Sequence, residues 1–117
     1  MADIKPVKVD LVIGRGTDWS LTFAIEQSDG TNMPLDGYSV YSQIRTEANE
    51  DATLIVAFST AIDTGTDEFT LSLTDTQTDA VTQSIGYYDI FLVDGSANRY
   101  RYAYGTVTFD DYITVIA

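Results

Sequence analysis

Alternation of apolar and polar residues predicts β-strands along most of this chain. The densest run covers residues 84–94. Gly86 lies near its start, and an Asp-Gly turn signal marks its end. It places Tyr88, Ile90 and Leu92 on one face, and Tyr87, Asp89, Phe91 and Val93 on the other. We therefore interpret it as a central, well-buried strand with which the remaining strands pair.

Seven further apolar runs, separated by turn residues, predict additional strands. A half-buried strand starts at Trp19, where Trp19, Leu21, Phe23 and Ile25 alternate with polar or small residues. Further strands are predicted over 8–13, at an edge, and over 38–45, 54–58, 69–73, 99–109 and 112–116. Residues 61–67 are read as a turn. Residues 74–81 are read as one or two helical turns that cross between sheets.

About eight strands with turns between them predict an all-β fold. The expected architecture is an antiparallel two-sheet sandwich, immunoglobulin-like in layout, with one short helical turn. Residues 1–7 are interpreted as an N-terminal arm because Pro6 interrupts regular pairing. Residues 8–117 are interpreted as a single β-sandwich domain.

The chain contains neither cysteine nor histidine. This absence excludes disulfides, thiolate catalysis, Ser-His-Asp and Cys-His chemistry and histidine-bound metals. We therefore expect no catalytic residues, no cofactor and no metal, and we expect that the protein is not an enzyme.

Acidic residues outnumber basic ones by 18 to 6, and the formal net charge is −12. Six dispersed cations cannot neutralise a nucleic-acid backbone, and an anionic membrane would repel the chain. The charge suits a solvated surface or a partner with a basic patch. The sequence shows neither a secretory signal nor a stretch of about 20 apolar residues, so we expect production in the cytosol.

One strand combines tyrosine and arginine, the residue types enriched at protein interfaces. Period two predicts Tyr100, Tyr102 and Tyr104 on one face, with Arg99 and Arg101 on the other. These five residues are the candidate interface. The alternative is a sandwich face whose tyrosines bury their rings and keep their hydroxyls in water.

Other candidate sites have weaker support. The acids at 47–51 and 63–68 could supply oxygens to calcium, but neither loop has the spacing of a calcium-binding loop. A glycosidase pair of carboxylates cannot be located among 18 acids. Gly14-Arg15-Gly16 lacks a phosphate-loop lysine and is read as a turn.

Four segments resemble a known family of phage proteins. They are Gly16-Thr17-Asp18-Trp19-Ser20-Leu21-Thr22-Phe23, Leu35-Asp36-Gly37-Tyr38 through Gln43-Ile44-Arg45, Phe69 through Thr74 with Gln77-Thr78, and Gly86-Tyr87-Tyr88-Asp89-Ile90 with Gly105-Thr106-Val107-Thr108. Together they resemble the LtfC-like β-sandwich domain of tailed-phage virion proteins, whose members include a collar protein around a tail tip. Here Gly-Thr-Asp at 16–18 replaces the usual Gly-Asp-Thr, which leaves the hydrogen bonding of that turn open.

The resemblance implies a virion structural part, repeated around a ring or lattice, and it transfers no functional residues. We expect a tail or baseplate collar or a fibre-anchoring adaptor, assembled in the host cytoplasm and bound to other virion proteins and to further copies of itself. The alternatives are a capsid decoration protein and a carbohydrate-binding module that uses the tyrosine face. If the arm makes an assembly contact, deletion of residues 1–7 should spare the fold and weaken assembly.

Overall fold

The structure, a computed structural model, describes residues 6–113. These residues form nine β-strands and one short helix in two facing sheets, which confirms the predicted all-β sandwich. In chain order the elements are β1 (Val7–Lys8), β2 (Leu11–Gly14), β3 (Trp19–Phe23), β4 (Ser39–Arg45), β5 (Leu54–Ala57), β6 (Ser59–Asp63), β7 (Glu68–Leu73), α1 (Asp75–Asp79), β8 (Ile85–Val93) and β9 (Arg99–Asp110).

The large sheet is built around β8, as the sequence predicts. Its strand order is β1-β9-β8-β4-β5, and β2 also pairs with β9. Strand β8 has antiparallel neighbours on both sides, and its inward residues Gly86, Tyr88, Ile90 and Leu92 are all buried. The apolar alternation of β8 therefore identifies the centre of the core correctly.

The small sheet has the order β3-β7-β6 and closes the other side of the core. Strand β7 alternates strictly between buried and half-buried residues, and its Phe69 and Leu71 are fully buried. Phe69 stacks on Phe23 of β3, with ring centroids 5.2 Å apart. Each large side chain buried in this way contributes about 1.5–3 kcal/mol to folding.

A nearly continuous strand connects the two sheets. Strand β5 pairs with β4 in the large sheet, the chain passes through buried Phe58, and β6 then pairs with β7 in the small sheet. The predicted turn over 61–67 is wrong for residues 61–63, which belong to β6. Only Ile62 and Thr60 of β6 face the small sheet's inner side, so the strand carries almost no apolar alternation.

The short helix α1 crosses between the sheets, from β7 to β8, as predicted. Thr74 caps it, and its side chain and that of Gln77 form a reciprocal capping box. Thr17 and Asp18 of the Gly-Thr-Asp turn are hydrogen-bonded to this helix. Asp18 accepts from the backbone N–H of Asp75 at 2.8 Å, and buried Thr78 bonds both the N–H and the C=O of Thr17.

Most strand pairs are antiparallel, but β1 and β2 run parallel to β9. The single edge strand predicted over 8–13 is interrupted between β1 and β2, where Val9 and Asp10 lie outside the strands. Val7, which the sequence assigned to the arm, lies in β1 and pairs with Ala103 of β9. Of the strand predicted over 112–116, Tyr112 and Ile113 are not in a strand, and the other three residues lie outside the described range.

Candidate interaction face on the large sheet

The five candidate interface residues all lie in β9, but a β-bulge separates them into two groups. Ile90 of β8 pairs with Ala103, whereas the next residue, Phe91, pairs with Arg101. Tyr102 is therefore an extra residue without a partner in β8. Such a bulge reverses the side on which the following residues lie. The prediction that Tyr100, Tyr102 and Tyr104 share one face is wrong for this reason.

Tyr100 and Tyr102 face the inside of the sandwich. The Tyr102 ring lies edge-on to Phe23 and Phe69, with centroid distances of 6.1 and 5.8 Å. Burial raises the pKa of the Tyr102 hydroxyl. The Tyr100 hydroxyl lies 3.4 Å from Oδ2 of Asp94 in the β8–β9 turn. Both tyrosines therefore support the fold, as the alternative reading of this strand anticipates.

Tyr104 lies on the opposite, solvent side of the sheet together with both arginines. We call this side the outer face; its strand positions include Lys8, Tyr41, Arg45, Tyr87, Asp89, Phe91, Arg99, Arg101 and Tyr104. The guanidinium carbon of Arg101 is 4.5 Å from the centroid of the Tyr104 ring. Its Nε is 3.4 Å from Oδ2 of Asp89. These contacts hold Arg101 flat over the sheet, although an exposed ion pair adds little stability.

The outer face is rich in exposed apolar side chains. Eight large hydrophobic side chains are exposed among the described residues, and four of them lie here: Val12, Tyr41, Leu54 and Ile85. The Tyr41 side chain, for example, belongs to a residue that is 60% exposed. Half-buried Tyr87 and Phe91 of β8 lie between Tyr104 on β9 and Tyr41 on β4. Aromatic and arginine side chains around an apolar patch are typical of protein-binding surfaces.

Four of the five basic residues that the structure describes lie on the same face. Lys8, Arg45, Arg99 and Arg101 all project from it, and the other described cation, Arg15, does not. Arg15 lies at one end of the sandwich, where it donates to the carbonyls of Val81 and Gln83 and pairs with Asp111 at 2.9 Å. The strand positions of the outer face thus carry four cations and two carboxylates, Asp89 and Asp110, in a protein of net charge −12.

The sequence pointed to part of this face and missed the rest. The alternation in residues 84–94 grouped Tyr87, Asp89 and Phe91 on one side, but it did not show that Tyr104 joins them. Tyr41 was not singled out, although it alternates with the buried residues of its strand, Val40 and Ser42. The missing signal was the pairing between β8, β9 and β4, which only the three-dimensional register supplies.

The other surfaces have different chemistry. On the small sheet, the solvent side of β3 and β7 presents serines and threonines, and the hydroxyls of Thr22 and Thr70 are 2.8 Å apart. An open groove of about 370 Å³ runs between β4 and β6, bordered by Tyr38 and Tyr41. No acidic side chain lines this groove.

The acidic loops are organised by their own hydrogen bonds. Asp63 accepts from the N–H of Gly65 at 2.9 Å, and Asp67 accepts from the N–H of Leu35 at 3.2 Å. Within residues 6–113, no three acidic side chains are grouped so that they could hold a metal ion. In the same range, no helix is long and apolar enough to cross a membrane.

Comparison with known proteins identifies the family. A search of curated proteins finds no match to this chain. The sequence model of one family, described as "LtfC-like, beta-sandwich domain", matches residues 5–110, which is most of the chain. The matched region contains both sheets, the β9 bulge and the outer face. The chain therefore belongs to the LtfC-like β-sandwich domain family, and this membership indicates a phage-related structural domain.

Proposed function

We propose that this chain is a non-enzymatic structural protein of a tailed-phage virion, a collar or fibre-anchoring adaptor of the tail or baseplate region. The observation that carries the proposal is the aromatic and basic outer face. It belongs to a domain whose family indicates a phage-related structural domain. In this proposal the outer face binds another virion protein during assembly in the host cytoplasm. The sandwich supplies a rigid platform, and no step of chemistry is required of it.

The composition of the outer face supports a protein partner. Tyr104, Tyr87 and Phe91 form an aromatic centre, and Arg99 and Arg101 lie beside it. Tyrosine buries much surface at a low cost in side-chain entropy, and tyrosine and arginine are frequent hot spots of protein interfaces. The outer face is therefore the first surface to test.

The proposal can be tested in phage particles. The genomic copy would carry a small epitope tag, and purified particles would be separated into heads and tails and labelled with antibody. We expect the label at the tail tip or collar. Arg99→Glu combined with Arg101→Glu should remove the protein from the particles. The control, Ser20→Glu with Thr22→Glu on the solvent side of the small sheet, also introduces two carboxylates and should leave incorporation unchanged.

Each other result selects against the proposal in a specific way. Label on the capsid would make the chain a decoration protein. Absence from all particles would reject a structural role in the virion. Glycan binding by the purified protein, lost when Tyr38 and Tyr41 are replaced by alanine, would instead favour a carbohydrate-binding module at the groove between β4 and β6.

A further inference from the structure

The two sheets end in four strand edges, and three of these are protected from pairing with another chain. The edge at β1 and β2 consists of two short strands with an interruption between them. The edge at β5 is four residues long and adjoins a register shift in β4. The edge at β6 is partly covered by β4, because the Thr60 hydroxyl donates to the carbonyl of Val40 at 3.2 Å. Short strands, irregular register and cover by a neighbour are common protections of a sheet edge.

The fourth edge has none of these protections. We call it the β3 edge, which is the side of residues 19–23 that faces away from β7. Strand β3 pairs with β7 in regular register along its whole length, and the run from Trp19 to Ile25 contains neither a charged residue nor a proline. Apart from its pairing with β7, β3 forms no backbone hydrogen bond within residues 6–113. Alternate residues therefore direct their N–H and C=O groups away from the sheet, where another strand can pair with them.

The apolar side of the small sheet also remains incomplete at this edge. Leu21 lies directly opposite Leu71 of β7, so the two side chains are on the same, inner side of the sheet. Leu71 is fully buried, whereas Leu21 is 37% exposed. A further strand beside β3 would place its own inward side chains against Leu21 and remove apolar surface from water.

We propose that the β3 edge binds an extended segment of a different protein, which adds a fourth strand to the small sheet. The segment carries apolar side chains at every second position and lysine or arginine at its ends. In this mode of binding, main-chain hydrogen bonds supply affinity and the alternate side chains supply specificity. The site is separate from the outer face, which lies on the other sheet, and gives the protein a second binding surface.

The charges around the β3 edge determine the chemistry of the ends of the segment. Asp18 precedes β3 and Glu26 follows it closely, and both residues are exposed. The other strands of the small sheet and α1 add Asp63, Glu68, Asp75 and Asp79 and contain neither lysine nor arginine. Arg15, the nearest cation in sequence, is paired with Asp111. Basic ends on the added strand would therefore meet carboxylates, and this complementarity selects for such a partner.

The same charges disfavour a second copy of this chain as the occupant. Two β3 edges paired with each other would bring Asp18 and Glu26 of one copy close to the same two residues of the other. Like charges on neighbouring strands destabilise the pairing. A different protein with basic ends avoids this repulsion.

The experiment starts from a yeast-displayed library of random peptides of about twelve residues, selected for binding to the purified full-length chain. We expect the enriched peptides to alternate apolar with polar residues and to carry lysine or arginine at their ends. The most enriched peptide would then be synthesised and added to the chain in solution. Hydrogen exchange of amides in residues 19–23 should slow, because the peptide provides acceptors for N–H groups that face solvent.

A substitution at Leu21 tests the edge itself. Leu21→Lys places a charge on the inner side of the edge strand, which blocks strand addition, and should weaken peptide binding at least about tenfold. Leu54→Lys is the matched control, because Leu54 is 44% exposed, lies in the edge strand β5 and undergoes the same change of charge. It should leave binding unchanged. Thermal unfolding would establish that both variants are folded.

A modified peptide tests the same contact without any change to the protein. Methylation of alternate backbone nitrogens removes the donors on one edge of the peptide and keeps its side chains. One of the two possible methylation patterns should abolish binding, because it removes the donors that face β3. The other pattern should leave binding largely intact.

Four results would overturn the inference: no enrichment of alternating peptides, enrichment of peptides with acidic ends, equal weakening by Leu54→Lys, or slowed exchange outside β3. Exchange that slows in residues 19–23 as the concentration of the chain alone rises would identify a second copy as the occupant, which would also overturn it. None of these results affects the outer face, whose role is tested separately by Arg99→Glu with Arg101→Glu in phage particles.

Discussion

At the scale of single residues, contacts among the Val9 carbonyl, the Tyr88 hydroxyl and Gly105 fix the edge of the large sheet. The carbonyl of Val9 turns inward between β1 and β2 and accepts a hydrogen bond from the hydroxyl of Tyr88 at 2.6 Å. It also lies directly over Gly105, where a Cβ atom would be 2.2 Å from the Val9 oxygen. The interruption of the edge strand is therefore a specific contact that requires a glycine in β9 and a tyrosine in β8.

Replacing Gly105 tests this contact. Gly105→Ala should displace the Val9 carbonyl, break its bond with Tyr88 and lower the free energy of unfolding by about 1–3 kcal/mol. The measurement is chemical denaturation of the purified domain. Gly95→Ala is the matched control, because a Cβ there would meet its nearest neighbour, the Gly37 oxygen, at 3.9 Å. Equal stability of the two variants would show that Val9 does not pack over Gly105.

Tyr88 also makes stability depend on alkaline pH. Burial, aided by the negative charge of Asp10, raises its pKa from 10.0 to about 12. Below pH 10 the hydroxyl is protonated in both the folded and the unfolded chain, so its contribution to stability is complete. Between pH 10 and 12 the unfolded chain loses the proton while the folded chain retains it, and this contribution is progressively lost.

We therefore expect the stability advantage of the wild-type chain over Tyr88→Phe to narrow by about 1–2 kcal/mol between pH 10 and 12. Urea denaturation of both proteins across this range measures the difference, in which the other tyrosines cancel. The variant should also be less stable at neutral pH, because the Val9 carbonyl loses its donor. A gap that stays constant with pH would mean that Tyr88 ionises equally in both states.

At the scale of elements, the bulge in β9 determines which tyrosines support the fold and which remain available for contacts. Tyr102 packs on Phe23 and Phe69 in the small sheet, whereas Tyr104 lies on the outer face under Arg101. Two residues that are equivalent by sequence spacing thus have different roles. Alanine substitution separates them.

Tyr102→Ala should lower the free energy of unfolding by about 3 kcal/mol, because it removes a large aromatic ring from between the sheets. Tyr104→Ala should cost less than about 1 kcal/mol, because its ring lies on the outer face and not between the sheets. Thermal unfolding of both variants measures the difference. A larger loss of stability in Tyr104→Ala than in Tyr102→Ala would contradict the bulge.

How far each element could be predicted depended on where its side chains point. Strands β4, β7 and β8 were predicted nearly to their ends, because each has alternate residues in the core. Strand β6 was missed, since its serine and alanine residues face solvent and give no apolar signal. The bulge could not be predicted because it depends on the register of β9 against β8 and not on the composition of β9. Of the five residues predicted for the candidate face, Arg99, Arg101 and Tyr104 therefore lie on the outer face, whereas Tyr100 and Tyr102 face the core.

At the scale of the whole molecule, the excess of acidic residues affects stability. The net charge of −12 destabilises the folded state through repulsion among carboxylates. This repulsion acts mainly between exposed groups, so salt screens it.

Added sodium chloride should therefore raise the melting temperature of the domain. Raising the salt from about 50 mM to 500 mM shortens the Debye length from more than 10 Å to less than 8 Å, which screens the repulsion among carboxylates. Thermal unfolding at both salt concentrations measures the change. A melting temperature that falls with salt would show that attractive ion pairs within the chain outweigh the repulsion.

The pairing of β2 with β9 has a consequence for the order in which the chain can fold. Leu11 lies beside Val107 and Ile13 beside Phe109, so one of the first strands to be synthesised has one of the last as its partner. Strand β1 depends on β9 in the same way. The edge of the large sheet can therefore close only after β9 has left the ribosome, and contacts so distant in sequence form slowly. Until then the apolar side of β2 remains without its partner, so nascent chains on one messenger RNA are exposed to mispairing with one another.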